Sequence, residues 1–162
     1  MEFSEILAQE VKEYLEAAGH IYEFDEKNGF FTIKEKLEGT DDICLTIVEV
    51  VDDCILFRCL SSLNVPARKH SAVSEYINRA NNVLLNGNFV LDYDNGSVVF
   101  KCYISCMEGN VSASQLTDSF ASRDIAYSEF LPGITAVSKG QVKNVKAYFE
   151  GTEEQQDSEK AD

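Results

Sequence analysis

Apolar residues follow two different spacings along this chain, and the changes between them predict its elements. Three segments repeat apolar residues every three or four positions, which is the spacing of amphipathic helices. Between these segments, apolar and polar residues alternate in pairs of short runs joined by turn residues, which predicts hairpins. The predicted order is helix, four strands, helix, two strands, helix. This order indicates the α+β class, with an antiparallel sheet of hairpins packed against helices.

Residues that favour helix ends set the bounds of the first two predicted helices. Ser4 suits the cap of a helix over residues 4–18, and Gly19 suits its stop. Pro66 suits the first turn of a second helix, which the pattern extends to residue 86. The predicted apolar stripe of this second helix consists of Val73, Tyr76, Ile77, Ala80, Val83 and Leu84.

The third helical region begins near Ser112 and is predicted to end at Gly140. Proline removes a helix hydrogen bond, so Pro132-Gly133 is expected to kink or divide this region. A short last helix is predicted over residues 142–149. From residue 150 onward the chain is acidic and has no apolar anchor, which is typical of a disordered tail. The expected organisation is one domain over residues 1–149 and a tail over residues 150–162.

The second hairpin carries the main functional prediction. Its strands are predicted over residues 43–51 and 54–60, after a polar loop or frayed strand end that covers residues 34–42. A turn centred on Asp52-Asp53 places Val50 opposite Ile55, and it places Leu45 opposite Leu60. One face of the hairpin is then almost purely apolar. The other face is also mainly apolar, with one acid, Glu49, that could pair diagonally with one base, Arg58.

An antiparallel sheet in a lone domain normally keeps one face polar, so the second apolar face needs cover. A helix of the same chain, a second subunit and a bound segment are all compatible with the pattern. If the cover is a second subunit or a bound segment, the forms to test are a homodimer and an extended segment added at a sheet edge. The candidate partner-binding residues are Ile43, Leu45, Ile47, Leu56 and Leu60.

The chain has a formal net charge of −14, and most of the acidic excess lies before residue 54 and after residue 149. Such a surface repels nucleic acid and anionic lipid, so neither is an expected partner. The charge serves solubility or steers a basic partner segment toward the protein. The sequence has no apolar run that could span a membrane and no signal-peptide pattern at its start, so a cytoplasmic location is expected.

The residue types that carry chemistry do not form a recognisable site. The chain lacks the phosphate-binding, serine-hydrolase, zinc-protease and dinucleotide-binding motifs, so no catalytic residue and no cofactor is predicted. The five cysteines have no paired spacing and lie in apolar strand patterns, which favours buried, reduced thiols over a metal site or disulfides. His20 and His70 lie at predicted helix ends, where structural or surface roles are ordinary.

Several local motifs occur in an order that resembles the YbjN family, up to about residue 140. These motifs are Asn64-Val65-Pro66, residues 78–82, Gly87-Asn88-Phe89, Asn95-Gly96 with residues 98–101, and residues 127–132. The resemblance implies the type III secretion chaperone-like fold, which agrees with the predicted order of elements. It also implies a bacterial protein with a sensory-transduction or stress-response regulatory role. A chaperone role follows only from the fold, which does not fix function.

Two functional hypotheses are therefore open. The first is a non-enzymatic, chaperone-like or regulatory protein that binds an extended or helical segment of another protein. The second is a sensor domain that binds a small ligand between the sheet and the helices. Co-purification of a protein partner would favour the first, and stabilisation by a metabolite would favour the second.

Overall fold

The N-terminal helix forms where the sequence supplies both a cap and an apolar stripe. The computed structural model describes residues 3–37 and 41–151. In it, α1 (Glu5–Ala17) begins after Ser4, whose side chain accepts a hydrogen bond from the backbone N–H of Leu7 at 3.3 Å. Gly19 then adopts a φ of 77°, a conformation that glycine takes without steric penalty. Both predicted end signals of this helix are confirmed.

The strands form one six-stranded antiparallel sheet in the spatial order β1-β2-β3-β4-β6-β5. The predicted α+β class and order of elements are confirmed. The strand bounds are β1 (Glu23–Asp25), β2 (Phe30–Lys36), β3 (Ile43–Val50), β4 (Cys54–Asn64), β5 (Asn88–Leu91) and β6 (Ser97–Ser105).

The register of the second hairpin is the predicted one. Val50 pairs with Ile55, and Leu45 pairs with Leu60. Two strands run further than predicted, however. β2 continues to Lys36, because Glu35 faces the helices and contacts Arg123 there. β4 continues to Asn64, with a register irregularity between Leu60 and Asn64 that keeps it paired to β6.

The second helix is shorter than predicted. A 3₁₀ turn (Ala67–Lys69) precedes α2 (His70–Val83), and Leu84 already has extended backbone angles. Val83 is 44% exposed, so its inclusion in the apolar stripe was wrong. The helix stops early because the chain must reverse into β5. It does so through Gly87, which has a φ of 77° and lies against the ring of Phe100, where a Cβ would clash.

The third helix, α3 (Ala113–Ser138), is one element that continues through Pro132, so of the expected kink or division the division does not occur. It begins at Ser112, which forms a capping box with Gln115. A last helix, α4, spans residues 145–151 and buries Val145 and Phe149. Residues 150 and 151, assigned above to the tail, belong to this helix, and residues 152–162 lie outside the described residues.

The helices pack on one side of the sheet. Phe120 of α3 stacks on Tyr14 of α1 and contacts the ring of Phe57 on β4, and Tyr127 of α3 contacts the ring of Phe100 on β6. The strand residues on this side are the buried core, including Phe31, Val48, Phe57 and Phe100. Within the described ranges, the strand side chains on the opposite side do not belong to this core or pack against it. The described part of the chain therefore forms two layers.

Candidate protein-binding face

All five predicted partner-binding residues lie on the side of the sheet that the helices leave uncovered, which we call the open face. Side chains alternate between the two faces of a strand, so Ile43, Leu45 and Ile47 of β3 point away from the core residues that flank them. Leu56 and Leu60 of β4 do the same. Ile43 is 52% exposed, and the other four are half-buried by their neighbours in the sheet.

Residues from three further strands extend the apolar surface of the open face. Leu60 pairs with Val99 of β6, which in turn pairs with Val90 of β5. Leu56 pairs with Tyr103 of β6, which is 57% exposed, and Phe30 of β2 pairs with Glu49 of β3. Sequence reasoning missed these neighbours, because β6 inserts between β4 and β5 and no local pattern predicts that order.

The charged side chains of the open face fall into paired and unpaired groups. Glu49 Oε2 and Arg58 Nη2 lie 2.6 Å apart, which confirms the predicted diagonal pair. Lys36 Nζ lies 3.0 Å from Asp41 Oδ1 at the rim. Lys34 and Lys101 are exposed, and neither has an ion-pair partner among the described residues.

On the helical side of the sheet, the structure brings together a buried charged cluster around Arg123, which is 3% exposed. Its Nη1 donates to Glu35 Oε1 at 2.5 Å and to the Thr46 hydroxyl at 2.9 Å, and its Nε donates to Asp124 Oδ1 at 2.8 Å. The guanidinium also lies over the ring of Phe120. This cluster ties α3 to β2 and β3. The sequence analysis missed it, although Arg123 lies at helical spacing within the apolar stripe of α3.

Both histidines make structural contacts. The His20 ring stacks on Phe120 with centroids 4.6 Å apart, and its Nδ1 lies 3.7 Å from Glu35 Oε2. The Nε2 of His70 lies 3.0 Å from the backbone oxygen of Val65, and its ring stacks on Tyr93.

The five cysteines are all free and buried, as their apolar strand context predicted. Burial raises the pKa of the Cys54, Cys102 and Cys106 thiols. A hydrogen bond to Cys59, together with burial, raises the pKa of the Cys44 thiol. These four thiols are therefore protonated near neutral pH and are poor nucleophiles. Over residues 3–37 and 41–151, no three His, Cys, Asp or Glu side chains are grouped as a metal site would need.

No helix in the described part of the chain is long and apolar enough to cross a membrane.

The family model for YbjN, described as "Putative bacterial sensory transduction regulator", matches residues 7–135, which is well over half of the chain. The chain belongs to the YbjN family. The YbjN match begins in α1 and ends in α3, so it includes every strand of the open face and leaves α4 outside.

Solved structures show the same fold. A crystal structure of YbjN, a putative transcription regulator from E. coli, superposes with a TM-score of 0.56 at 17% identity, covering 74% of this chain and 87% of that one. An uncharacterized protein from Methanothermobacter thermautotrophicus gives a TM-score of 0.56 at 20% identity, covering 80% and 97% respectively. Comparison with curated proteins gave no match.

Proposed function

We propose that this member of the YbjN family is a non-enzymatic regulator that acts by binding a segment of another protein on the open face. The observation that carries the proposal is the uncovered apolar surface around Leu45 and Leu60. Both side chains lie in the middle of a sheet, yet neither packs against the core. The family's description as a sensory transduction regulator supports a signalling role over a metabolic one.

The open face has enough apolar surface to drive association. Burying a leucine or isoleucine side chain fully contributes roughly 1.5–3 kcal/mol, and half-buried side chains retain part of that gain. The face groups Ile43, Leu45, Leu60 and Val99 on adjacent strands in one continuous patch. Contiguous apolar patches of this kind mark protein interaction sites on soluble proteins. The ionisable side chains around Arg123 are engaged in structural contacts with one another. This arrangement agrees with a binding role rather than a catalytic one.

Aspartate substitutions in the open face test this proposal. L45D and L60D are expected to stay folded by circular dichroism and to lose partner binding in pull-downs from native cytosol. I6D is the matched control, because Ile6 is 66% exposed and lies on α1, on the helical side of the sheet. Light scattering of the purified chain tests the homodimer as the alternative occupant, since L45D would then convert a dimer to a monomer while I6D would not.

Partner binding that L45D and L60D leave unchanged would overturn the proposal. If both variants unfold, I43D replaces them. Ile43 is already half exposed, so its substitution disturbs the packing of the sheet less. An I43D variant that is folded and binds the partner as the wild type does would also count against the proposal.

A second candidate function is the binding of a small ligand, and one groove favours it. The groove has a volume of about 600 Å³ and lies where the end of β4 meets the C-terminal half of α3. Its walls include Ser62, Leu131, Thr135 and Lys139, so it combines apolar and polar groups. A thermal-shift screen with metabolites tests this function. A stabilising compound whose effect T135W abolishes and L45D leaves intact would favour it over protein binding.

A further inference from the structure

We propose that the segment bound on the open face is an amphipathic helix whose apolar stripe is flanked by acidic residues. This inference rests on the proposed function and names its partner by chemistry. It runs against the net charge of −14, which would favour a basic partner. The local charges of the open face determine whether it prefers an acidic or a basic segment, because at about 0.15 M salt exposed charges more than about 8 Å away are largely screened.

The open face is depleted in acidic side chains relative to the rest of the chain. The sequence carries 28 acidic and 14 basic residues. The register of the strands places on this face the basic residues Lys34, Lys36, Arg58 and Lys101 and the acidic residues Glu23, Asp25 and Glu49.

Pairing removes most of these charges and leaves two lysines near the apolar patch. Arg58 is held by Glu49, Lys36 is held by Asp41, and the Asp25 carboxylate accepts backbone hydrogen bonds in its own turn. Glu23 lies on the edge strand β1, two strands away from Leu45 of β3. It is a diagonal neighbour of Lys34, but no ion pair joins these two described residues. The charges without an ion-pair partner beside the apolar patch, among the described residues, are therefore those of Lys34 and Lys101.

The positions of these lysines match an acidic residue toward each end of an apolar stripe. Lys34 pairs with Leu45, and the apolar row then continues through Leu60 and Val99. Lys101 lies directly opposite Arg58, and like charges in directly opposed positions destabilise a sheet. Glu49 compensates only Arg58, so a carboxylate from a bound segment would relieve the charge of Lys101.

The form of the segment follows from where the apolar residues lie. Strand addition uses the backbone of a sheet edge, whereas the apolar residues here lie on the face of the central strands. A helix is the element that normally covers such a face, as α1 and α3 do on the other side of this sheet. Strand spacings of about 4.8 Å and residue spacings of about 3.4 Å put Lys34 and Lys101 about 16 Å apart. Three turns of helix span that distance.

Two model peptides of about 18 residues test the inference. Both carry the same leucine stripe at helical spacing, one with glutamate and the other with lysine at the two ends of the stripe, about three turns apart. Fluorescence anisotropy at about 0.15 M salt measures their binding to the full chain. The wild type is expected to bind the glutamate peptide about tenfold more tightly than the lysine peptide. K34E/K101E is expected to reverse this preference. The matched control K12E/K143E replaces two exposed lysines outside the open face and outside the groove beside α3, and it is expected to behave as the wild type.

The outcomes separate this inference from the proposed function. A wild type that prefers the lysine peptide or binds neither peptide overturns the inference, as does a K34E/K101E variant with unchanged preference. If L45D still abolishes capture of the cytosolic partner in those cases, the proposed function stands and only the acidic partner falls. If the wild type forms a dimer that L45D dissociates and binds neither peptide, the occupant is a second copy, and the inference is wrong.

Discussion

At the scale of single residues, Arg123 joins α3 to the sheet by buried polar contacts. A buried arginine is stable only when its donors are satisfied, because the desolvation of an unpaired guanidinium is expensive. Here Glu35, Asp124 and the Thr46 hydroxyl accept its hydrogen bonds, and Phe120 lies beneath its plane. Glu35 and Thr46 belong to strands, so the cluster also fixes the position of α3 on the sheet.

Substitution of this arginine by methionine tests that role. R123M is expected to lower the free energy of unfolding by about 3 kcal/mol, the low end for a broken buried pair, because Glu35 remains partly exposed. Urea denaturation followed by circular dichroism measures the change. R79M is the matched control, since Arg79 makes a surface pair with Glu75 that contributes at most about 0.5 kcal/mol. Equal effects of the two substitutions would contradict a structural role for Arg123.

At the scale of elements, one asparagine joins α2 to the edge strand β5. Asparagine is unfavourable inside a helix because its side chain competes for backbone hydrogen bonds. The side chain of Asn81 uses that capacity on another element: its Oδ1 accepts from the N–H of Phe89 at 2.8 Å, and its Nδ2 donates to the carbonyl oxygen of Phe89 at 3.0 Å. β5 has only β6 as a neighbour in the sheet, so these two bonds replace part of a missing strand.

The two bonds give a matched pair of variants. N81A is expected to lower the free energy of unfolding by about 1–3 kcal/mol, because it leaves the backbone groups of Phe89 without these partners. N82A is the control, since Asn82 is exposed on the same helix and its substitution is expected to have almost no effect. Hydrogen exchange should also show faster exchange of the Phe89 amide in N81A. An exchange rate unchanged from the wild type would refute the proposed link.

At the scale of the whole molecule, the described chain is a sheet covered by helices on one side only. α4 completes that cover, because Phe149 stacks on Phe130 of α3 and contacts the ring of Tyr76 on α2. The apolar anchors of the C-terminal region are thus Val145 and Phe149, both of which precede residue 152. The acidic sequence beyond that residue has no comparable anchor.

Deletion of residues 152–162 is therefore expected to leave the melting temperature almost unchanged, because it removes no apolar anchor. F149A in the full chain is the contrasting variant, and it is expected to lower the free energy of unfolding by about 3–5 kcal/mol. Thermal unfolding of the two proteins beside the wild type measures both effects. A large drop in melting temperature on deletion would show that the acidic segment packs against the domain.

The sequence by itself determined the features that depend on residues close together in the chain. The two periodicities predicted the helices and the three hairpins, and the Asp52-Asp53 turn predicted the register that puts Leu45 beside Leu60. Because a hairpin register fixes which side chains share a face, the five β3 and β4 residues of the open face could be predicted. The local signal at Pro132 left a kink or a division open, and α3 continues through it as one element, because its packing outweighs one missing hydrogen bond.

Only the tertiary structure decided which face of the sheet stays uncovered. The insertion of β6 between β4 and β5 brings Val99, Lys101 and Tyr103 to the open face. The pairing of β2 with β3 adds Lys34 to the same face. The contact of Arg123 with Glu35 joins residues that lie far apart in sequence. Such pairings follow from the way all the elements fill a common core, so no short window of the sequence contains them.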